Sequence, residues 1–408
     1  MSAKRVPIRA SSTLYETIGQ YYLEAKMAEG SERKIAWVTS GAPVEILYAA
    51  DIIPIYPENH GALCGARKMA VELCAAAEER GFSRDVCSYA RTDFGAIYTG
   101  TTPTGGLPRP DFLLCCNNIC GTVTKWYQHL QRHFDVPLVF LDIPFQHSGP
   151  NEESIAYVRA QLEDLIRSVG EIVGKPVEME RLEETLGLAL QSSMLWAEIL
   201  GLLANRPSPM TSFDTFVHMA PIVVLRGTQQ CIDYYELLLS EIKQRVADGI
   251  AAVPGERWRL GWDNIPIWFK LRELSEKFAE YKACLVAATY AHSWAAMVSP
   301  TSSTDPLGGM AEGYTNVYIN SGLPARARVL AEMVGTYGLD GFVMHSDRSC
   351  RAYSFGQYDL ARMLSEEHGI PALIIEADMC DSRVYADEQA TTRIEAFMET
   401  LAAHGSQT

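Results

Sequence analysis

The sequence predicts an α/β fold made of two Rossmann-like or flavodoxin-like domains with parallel sheets. Short apolar segments alternate with helical patterns along the chain, which is typical of parallel sheets covered by helices on both faces. The 408 residues are more than one ordinary core accommodates. A mostly helical stretch separates the two alternating regions. We therefore predict an N-terminal α/β domain (1–150), a helical connector (151–205) and a C-terminal α/β domain (206–408).

The first domain is predicted to open with an amphipathic helix over residues 15–30. Four buried strands are then predicted at 34–39, around 51–57, at 111–116 and at 136–144. Helical patterns follow two of them, PVEILYAA and VTKWYQHLQRHF.

The connector consists of two helical patterns and ends at the breaker NRPSPM (205–210). Beyond it, residues 257–266 lead into the helical pattern WFKLRELSEKFAEY. Strands are predicted in ACLVAATY, GFVMH and PALIIEAD. Three more helices are predicted: residues 325–338, ending at Gly338, the pattern YDLARMLSEEHG, and a C-terminal helix. The two halves show no repeat in their residues.

Charge and hydropathy narrow the function class. The net charge of −15 argues against a nucleic-acid-binding protein, although a local basic pocket for an anionic ligand remains possible. No apolar run reaches the roughly 18–20 residues of a membrane span. The N-terminus has basic residues without an apolar segment behind them, so we expect no signal peptide and a cytoplasmic protein.

Ten cysteines stand out in a chain expected to have no disulfides. Cys120 and Cys350 each follow a predicted strand, at the sheet edge where open α/β proteins bind ligands. Cys87 follows a helical pattern and a glycine-containing turn. The spacing of these three leaves an iron–sulfur cluster, a zinc site and buried structural thiols open, and by itself favours structural thiols. Cys74 and Cys284 lie in apolar patterns and are predicted core residues.

Several segments resemble one protein family. DVCSYARTDFG, PRPDFLLCCNNICGTVTKWY, RPSPMTSFDTFVHMA and HSDRSC together resemble the 2-hydroxyacyl-CoA dehydratase family, and in particular its larger, active-site (alpha) subunits. Its superfamily includes ATP-dependent benzoyl-CoA reductases and double-cubane cluster proteins. The resemblance extends from about residue 35 to the C-terminus.

The resemblance implies roles for individual residues. Cys87, Cys120 and Cys350 would bind the irons of a [4Fe–4S] cluster and leave one iron open for substrate. Ser40 and Glu58 would be catalytic. The resemblance also implies an acyl-CoA thioester substrate, a smaller homologous iron–sulfur subunit in a heterodimer, and an ATP-hydrolysing activator iron–sulfur protein. The enzyme would be a lyase that works anaerobically and is sensitive to oxygen.

The chemistry implied by this resemblance explains why an iron–sulfur cluster would lie next to the substrate. Dehydration of a 2-hydroxyacyl thioester must remove an unactivated β-proton. One electron added to the thioester carbonyl gives a ketyl radical anion, which expels the α-hydroxyl and leaves a more acidic β-proton; the electron is then returned. An open iron would hold a substrate oxygen and pass the electron.

Three other functions stay open. A benzoyl-CoA reductase-type subunit, an oxidoreductase, would leave its electrons in an aromatic ring. An electron-transfer or scaffold subunit would have a fully ligated cluster. A double-cubane protein would recruit further cysteines such as Cys64, Cys116 or Cys380.

Other side chains have two open interpretations. His60 is either a proton relay or only hydrogen-bonded, and His345 either tunes a cluster sulfur or belongs to the core. The tryptophans Trp262, Trp268 and Trp294 are expected in the core, with one of them possibly lining an acyl pocket.

Overall fold

The computed structural model of the chain describes residues 6–404. It contains two four-stranded sheets in which every strand pair is parallel, and the predicted α/β fold class is confirmed. Residues 1–5, which carry the basic start of the chain used in the signal-peptide prediction, lie outside the described residues.

The first sheet contains four strands: β1 (Ile35–Val38), β2 (Ile53–Ile55), β3 (Phe112–Cys116) and β4 (Leu138–Leu141). Their order across the sheet is β2-β1-β3-β4. The first three strands are fully buried, as predicted. The fourth was predicted to be buried as well, but only Leu141 of this edge strand is buried, and Phe140 is 42% exposed.

The second sheet contains β5 (Trp258–Asp263), β6 (Ala283–Ala288), β7 (Gly341–Asp347) and β8 (Ala372–Ala377). Their order, β6-β5-β7-β8, repeats that of the first sheet. The sequence predicted no strand at β5, which contains the charged residue Arg259. That side chain is nevertheless fully buried, because its guanidinium donates to the carbonyl oxygens of Tyr337 and Leu203 and pairs with Glu256.

The helices surround these two sheets. Those of the first half are α1 (Ser11–Ala28), α2 (Val44–Ala49), α3 (Pro57–Ala66), α4 (Ala70–Glu78), α5 (Ser88–Thr99) and α6 (Gly121–Phe134). Between the sheets come α7 (Glu152–Val173), α8 (Met179–Leu202), α9 (Ser212–His218), α10 (Ala220–Val224) and α11 (Gln229–Ala247). The second half adds α12 (Leu271–Glu280), α13 (Thr289–Ala295), α14 (Pro306–Thr315), α15 (Leu323–Tyr337), α16 (Arg351–Ser354), α17 (Gln357–His368) and α18 (Asp387–His404).

The helices between the sheets are well defined at their ends. The side chain of Asn151 accepts a hydrogen bond from the backbone of Ser154 and caps α7, which ends at Gly174 with φ of 75°. By length and composition α8 is the one helix of residues 6–404 that is apolar enough to cross a membrane. In the fold it packs against α11 and α2, with Trp196 fully buried.

The strand orders determine where ligands can bind. In each sheet the connections from the two central strands, β1 and β3 or β5 and β7, leave toward opposite sides. Such a reversal opens a crevice beyond the carboxyl ends of these strands. The two crevices contribute to one cavity, which holds the candidate site.

Candidate functional site

The five residues predicted from the sequence line one cavity of about 90 Å³. They are Ser40, Glu58, Cys87, Cys120 and Cys350. Segments following strands of both sheets build its wall, so the cavity lies where the carboxyl ends of the two sheets face each other.

The three cysteines occupy similar backbone positions. Cys87, Cys120 and Cys350 each immediately precede a helix: α5, α6 and α16, respectively. The last two follow β3 and β7, the equivalent strands of the two sheets. Each thiol is half-buried and free of any disulfide.

The surroundings of these thiols act in two directions on their acidity. Burial raises the pKa of all three, and neighbouring thiols or carboxylates raise it further. In Cys350 the neighbours with this effect are Asp347, Cys87 and Cys120. The backbone N–H three residues after each cysteine favours the thiolate and so lowers the pKa. Three thiols thus influence one another across one cavity.

The thiols are not arranged around a single metal ion. Within residues 6–404, no group of three or more His, Cys, Asp or Glu side chains is placed to hold one.

Glu58 and Ser40 form a doubly hydrogen-bonded pair. The Ser40 backbone N–H donates to Glu58 Oε1 at 2.9 Å, and the Ser40 hydroxyl donates to Glu58 Oε2 at 2.6 Å. Glu58 lies in the first turn of α3 but accepts from Ser40, in the loop after β1, and its carboxyl makes no capping bond to its own helix. Burial raises the pKa of Glu58, while the two bonds from Ser40 oppose that rise.

A close backbone approach shapes the same edge of the first sheet. The Asn118 side chain, in the loop after β3, donates to the carbonyl oxygens of Gly41 and Tyr314 at 3.1 and 2.9 Å. A Cβ atom on Gly41 would lie 2.1 Å from Asn118 Oδ1, so a larger residue there would displace the Asn118 side chain.

Hydrogen bonds fix two cysteine segments from opposite halves. The backbone N–H of Ser88, next to Cys87, donates to Ser349 Oγ at 3.0 Å. Ser349, next to Cys350, in turn donates to Asp378 Oδ2 at 2.5 Å. We call the contact of Ser88, Ser349 and Asp378 the serine clasp. It joins the residues adjacent to two of the three thiols.

A second contact joins the helices that follow Cys87 and Cys120. The indole N–H of Trp126, on α6, donates to Asp93 Oδ2, on α5, at 2.7 Å. Burial raises the pKa of Asp93 to about 7, and the bond from Trp126 opposes that rise. Trp126 also lines the cavity.

Most of the cavity wall is aromatic and aliphatic, and this part was not predicted from the sequence. The residues concerned are Tyr89, Ile119, Val123, Trp126, Ile265, Tyr290, Met297, Val317, Ile319, Tyr353 and Met379. Trp294, one of the three tryptophans with a pocket position as an open alternative, lines the cavity with them. One signal was available: residues 290, 293, 294 and 297 have helical spacing, and all four line the cavity. That pattern alone does not distinguish a cavity wall from an ordinary core face.

The tryptophans and histidines have different positions. Trp294 lines the cavity, Trp262 is fully buried, and Trp268 donates to the hydroxyl of Tyr89 at 2.5 Å. Burial lowers the pKa of His60 and of His345 to about 4, and neither residue lines the cavity. His345 Nδ1 lies 2.6 Å from the carbonyl oxygen of Ile265 and therefore carries the proton, and the His345 side chain is fully buried.

The other seven cysteines are buried away from the cavity wall. Cys74 and Cys284 are core residues, as predicted, and both cysteines of β3 are buried. Cys64, Cys116 and Cys380, the extra thiols of the double-cubane alternative, do not line the cavity.

The sequence of the chain is similar to those of several known proteins. Residues 39–401 match the family described as 2-hydroxyglutaryl-CoA dehydratase, D-component. The chain is 33% identical over 404 residues to the (R)-2-hydroxyisocaproyl-CoA dehydratase alpha subunit of Clostridioides difficile, covering 98% of this chain and 97% of that relative. It is 33% identical over 379 residues to the (R)-phenyllactyl-CoA dehydratase alpha subunit of Clostridium sporogenes, covering 92% of each. It is 29% identical over 422 residues to a subunit of benzoyl-CoA reductase from Thauera aromatica, covering 98% of this chain and 97% of that relative.

Proposed function

The chain belongs to the 2-hydroxyglutaryl-CoA dehydratase D-component family, and from that premise we propose that it is the substrate-binding subunit of an ATP-activated (R)-2-hydroxyacyl-CoA dehydratase. It would work in the cytoplasm with a smaller homologous iron–sulfur subunit and an ATP-hydrolysing activator. The single observation that carries the proposal is the cavity shared by three free thiols and the Ser40–Glu58 pair.

The donor set of the cavity fits a [4Fe–4S] cluster. A single zinc ion draws its thiolates to about 2.3 Å, so that they converge on one point. A cube binds each thiolate through a different iron, so its ligands stand apart around a larger group. Three thiols that line one cavity, each from a different segment of the chain, suit the second arrangement. Cys87, Cys120 and Cys350 would hold the cluster.

When bound by Cys87, Cys120 and Cys350, the cluster would supply one-electron chemistry and an open iron for a substrate oxygen. The chain's own residues would move protons. Loss of the α-hydroxyl as water requires a proton, and burial keeps the pKa of Glu58 raised, which favours a carboxyl able to give one. Ser40 fixes both carboxyl oxygens of Glu58, so that the group is oriented before substrate binds.

The cavity wall would exclude water from this chemistry. Trp126, Tyr290 and Trp294 present large rings around the thiols. A radical anion that meets bulk water is protonated or quenched, and an enclosed apolar wall limits that loss.

Anaerobic purification of the chain with its partner subunit tests the proposal. We expect about four irons and as much acid-labile sulfide at this site per chain. We also expect the Mössbauer or EPR spectrum to change when a 2-hydroxyacyl-CoA is added, because substrate would reach the open iron. A cluster without any spectral response would instead indicate an electron-transfer subunit.

One alternative has direct support from a relative, the benzoyl-CoA reductase of Thauera aromatica. A ring reductase consumes two electrons per product, whereas a dehydratase returns its electron and uses it catalytically. Counting electrons delivered by the activator per molecule of product separates the two functions.

A further inference from the structure

The second half of the chain supplies a continuous apolar wall to the cavity. Ile265 follows β5, and Tyr290, Trp294 and Met297 lie on one face of α13 and the turn after it. Ile319 extends the same wall. This wall comes from the half of the chain that contains the second sheet, whereas Ser40 and Glu58 follow strands of the first.

The cavity offers no positive charge to a ligand. Among the described residues that line it, none is lysine, arginine or histidine. Apart from thiols and phenols, Glu58 is the one ionisable group among the described residues that line the cavity. Both of its carboxyl oxygens already accept hydrogen bonds from Ser40. A negatively charged group entering here would face a carboxyl.

A guanidinium does lie behind the wall, but its charge is already paired. Arg226 Nη1 is 3.8 Å from Met297 Sδ, and the guanidinium carbon lies 5.8 Å from the ring centre of Trp294. Arg226 Nε donates to Glu45 Oε1 at 2.8 Å, and Nη2 donates to the hydroxyl of Tyr314 at 2.9 Å. Arg226 and Glu45 are both fully buried, so this cation is not available to a bound ligand.

From this wall we infer that the site takes acyl thioesters whose acyl chain is uncharged and apolar, and that it rejects chains ending in a carboxylate. The inference rests on the proposed function and narrows its substrate class. A terminal carboxylate would lose its hydration without gaining a cation, which is strongly unfavourable. A branched aliphatic or aryl chain would instead gain contact with Trp294, Met297 and Ile319.

Equilibrium binding to the full chain with its partner subunit, under anaerobic conditions, tests the inference without turnover. The probes are 2-hydroxy-4-methylpentanoyl-CoA, 2-hydroxyglutaryl-CoA and free coenzyme A, compared by isothermal titration calorimetry. We expect the branched apolar thioester to bind at least about tenfold more tightly than the dicarboxylic one. Equal or tighter binding of the dicarboxylic thioester overturns the inference and leaves the proposed function standing. If neither thioester binds more tightly than free coenzyme A, the proposed function fails with it.

A charge placed in the wall gives a second test. Ile319 is partly exposed, so Ile319→Lys can extend an ammonium group toward the cavity, and Ile319→Met is the uncharged control of similar length. We expect Ile319→Lys to shift the binding ratio toward the dicarboxylic thioester by about tenfold. The methionine variant should keep the wild-type preference. An unchanged ratio in Ile319→Lys, with wild-type circular dichroism, would show that the acyl chain does not reach this wall.

Discussion

The two sheets have the same strand order, and the residues after their third strands are alike. Cys120 follows β3 and Cys350 follows β7, and each immediately precedes a helix. The crevice geometry of parallel sheets therefore brings one thiol from each half to the same cavity.

The residues after the first and second strands differ between the halves. The first sheet places Ser40 and Glu58 there, a hydrogen-bonded polar pair. The second sheet places Ile265 and Tyr290 at the equivalent positions, as part of the apolar wall. The two sheets share one topology, which fixes where these side chains meet. Under the proposed function, residue type would assign proton chemistry to one half and substrate packing to the other.

The largest expected effect tests the equivalence of the two thiols. Under the proposed function, replacing either Cys120 or Cys350 by alanine should reduce the iron content from about four per chain to almost none, because each change would remove one of three cluster ligands. Iron and acid-labile sulfide analysis of anaerobically purified protein measures the loss. Cys284→Ala is the matched control, since Cys284 is buried within β6 and should leave the iron unchanged. Full retention of iron in Cys120→Ala would remove Cys120 from the ligand set.

The next effect tests the difference between the halves. Glu58→Gln keeps the shape of the side chain but cannot transfer a proton, so kcat should fall by about 10²–10⁴-fold. Tyr290→Phe, at the equivalent position of the second sheet, should lower kcat by less than about tenfold, because it keeps the ring that packs in the wall. Turnover with the activator, normalised to iron content, measures both. Equal losses in the two variants would contradict the assignment of proton chemistry to the first half.

Part of this site could be predicted from the sequence. The apolar segments of β3 and β7 place Cys120 and Cys350 at a ligand-binding edge through general sheet geometry. Cys87 follows no strand, so its place in the site came only from the family resemblance. Ser40 and Glu58 likewise came from the resemblance, since a serine in a turn and a glutamate in a first helical turn are common structural residues.

The apolar wall could not be predicted, for a physical reason. Whether Trp294 or Met297 faces a core or a cavity depends on how the second sheet is oriented toward the first, which local periodicity does not encode. The strand β5 was missed because burial of Arg259 depends on carbonyl groups that are distant in sequence. Such long-range compensation of a buried charge is visible only in the fold.

The two halves also differ in what holds their cysteines in place. Within the first half, the bond between Asp93 and Trp126 joins the helices that follow Cys87 and Cys120.

Burial raises the pKa of Asp93 to about 7, above the value of about 3.9 expected in the unfolded chain. Between about pH 4 and pH 7 the folded protein therefore binds one more proton than the unfolded chain. The stabilisation that this proton provides is complete below about pH 4 and is lost as the pH rises through about 7.

Asp93→Asn should remove that pH dependence. Between about pH 4 and pH 8 the unfolding free energy of the wild type should fall by up to about 4 kcal/mol more than that of Asp93→Asn. The reason is that asparagine still accepts the hydrogen bond from Trp126 but carries no charge. Urea denaturation across the pH range measures the difference. Asp359→Asn, in an exposed position on α17, is the control and should follow the wild type. Parallel pH curves for wild type and Asp93→Asn would show that Asp93 is ionised throughout.

The smallest expected effect concerns the serine clasp, which joins the two halves rather than two helices of one half. In Ser349→Ala the backbone N–H of Ser88 and one oxygen of Asp378 lose their partner in a buried setting. That loss should lower the unfolding free energy by about 1–3 kcal/mol and broaden the EPR signal of the cluster, because Cys87 and Cys350 are adjacent to the clasp. Ser303→Ala removes an exposed hydroxyl that bonds only to a local carbonyl, and should change neither quantity. If Ser349→Ala matches the wild type in both measurements, the serine clasp is not needed to position Cys87 and Cys350 at the shared cavity.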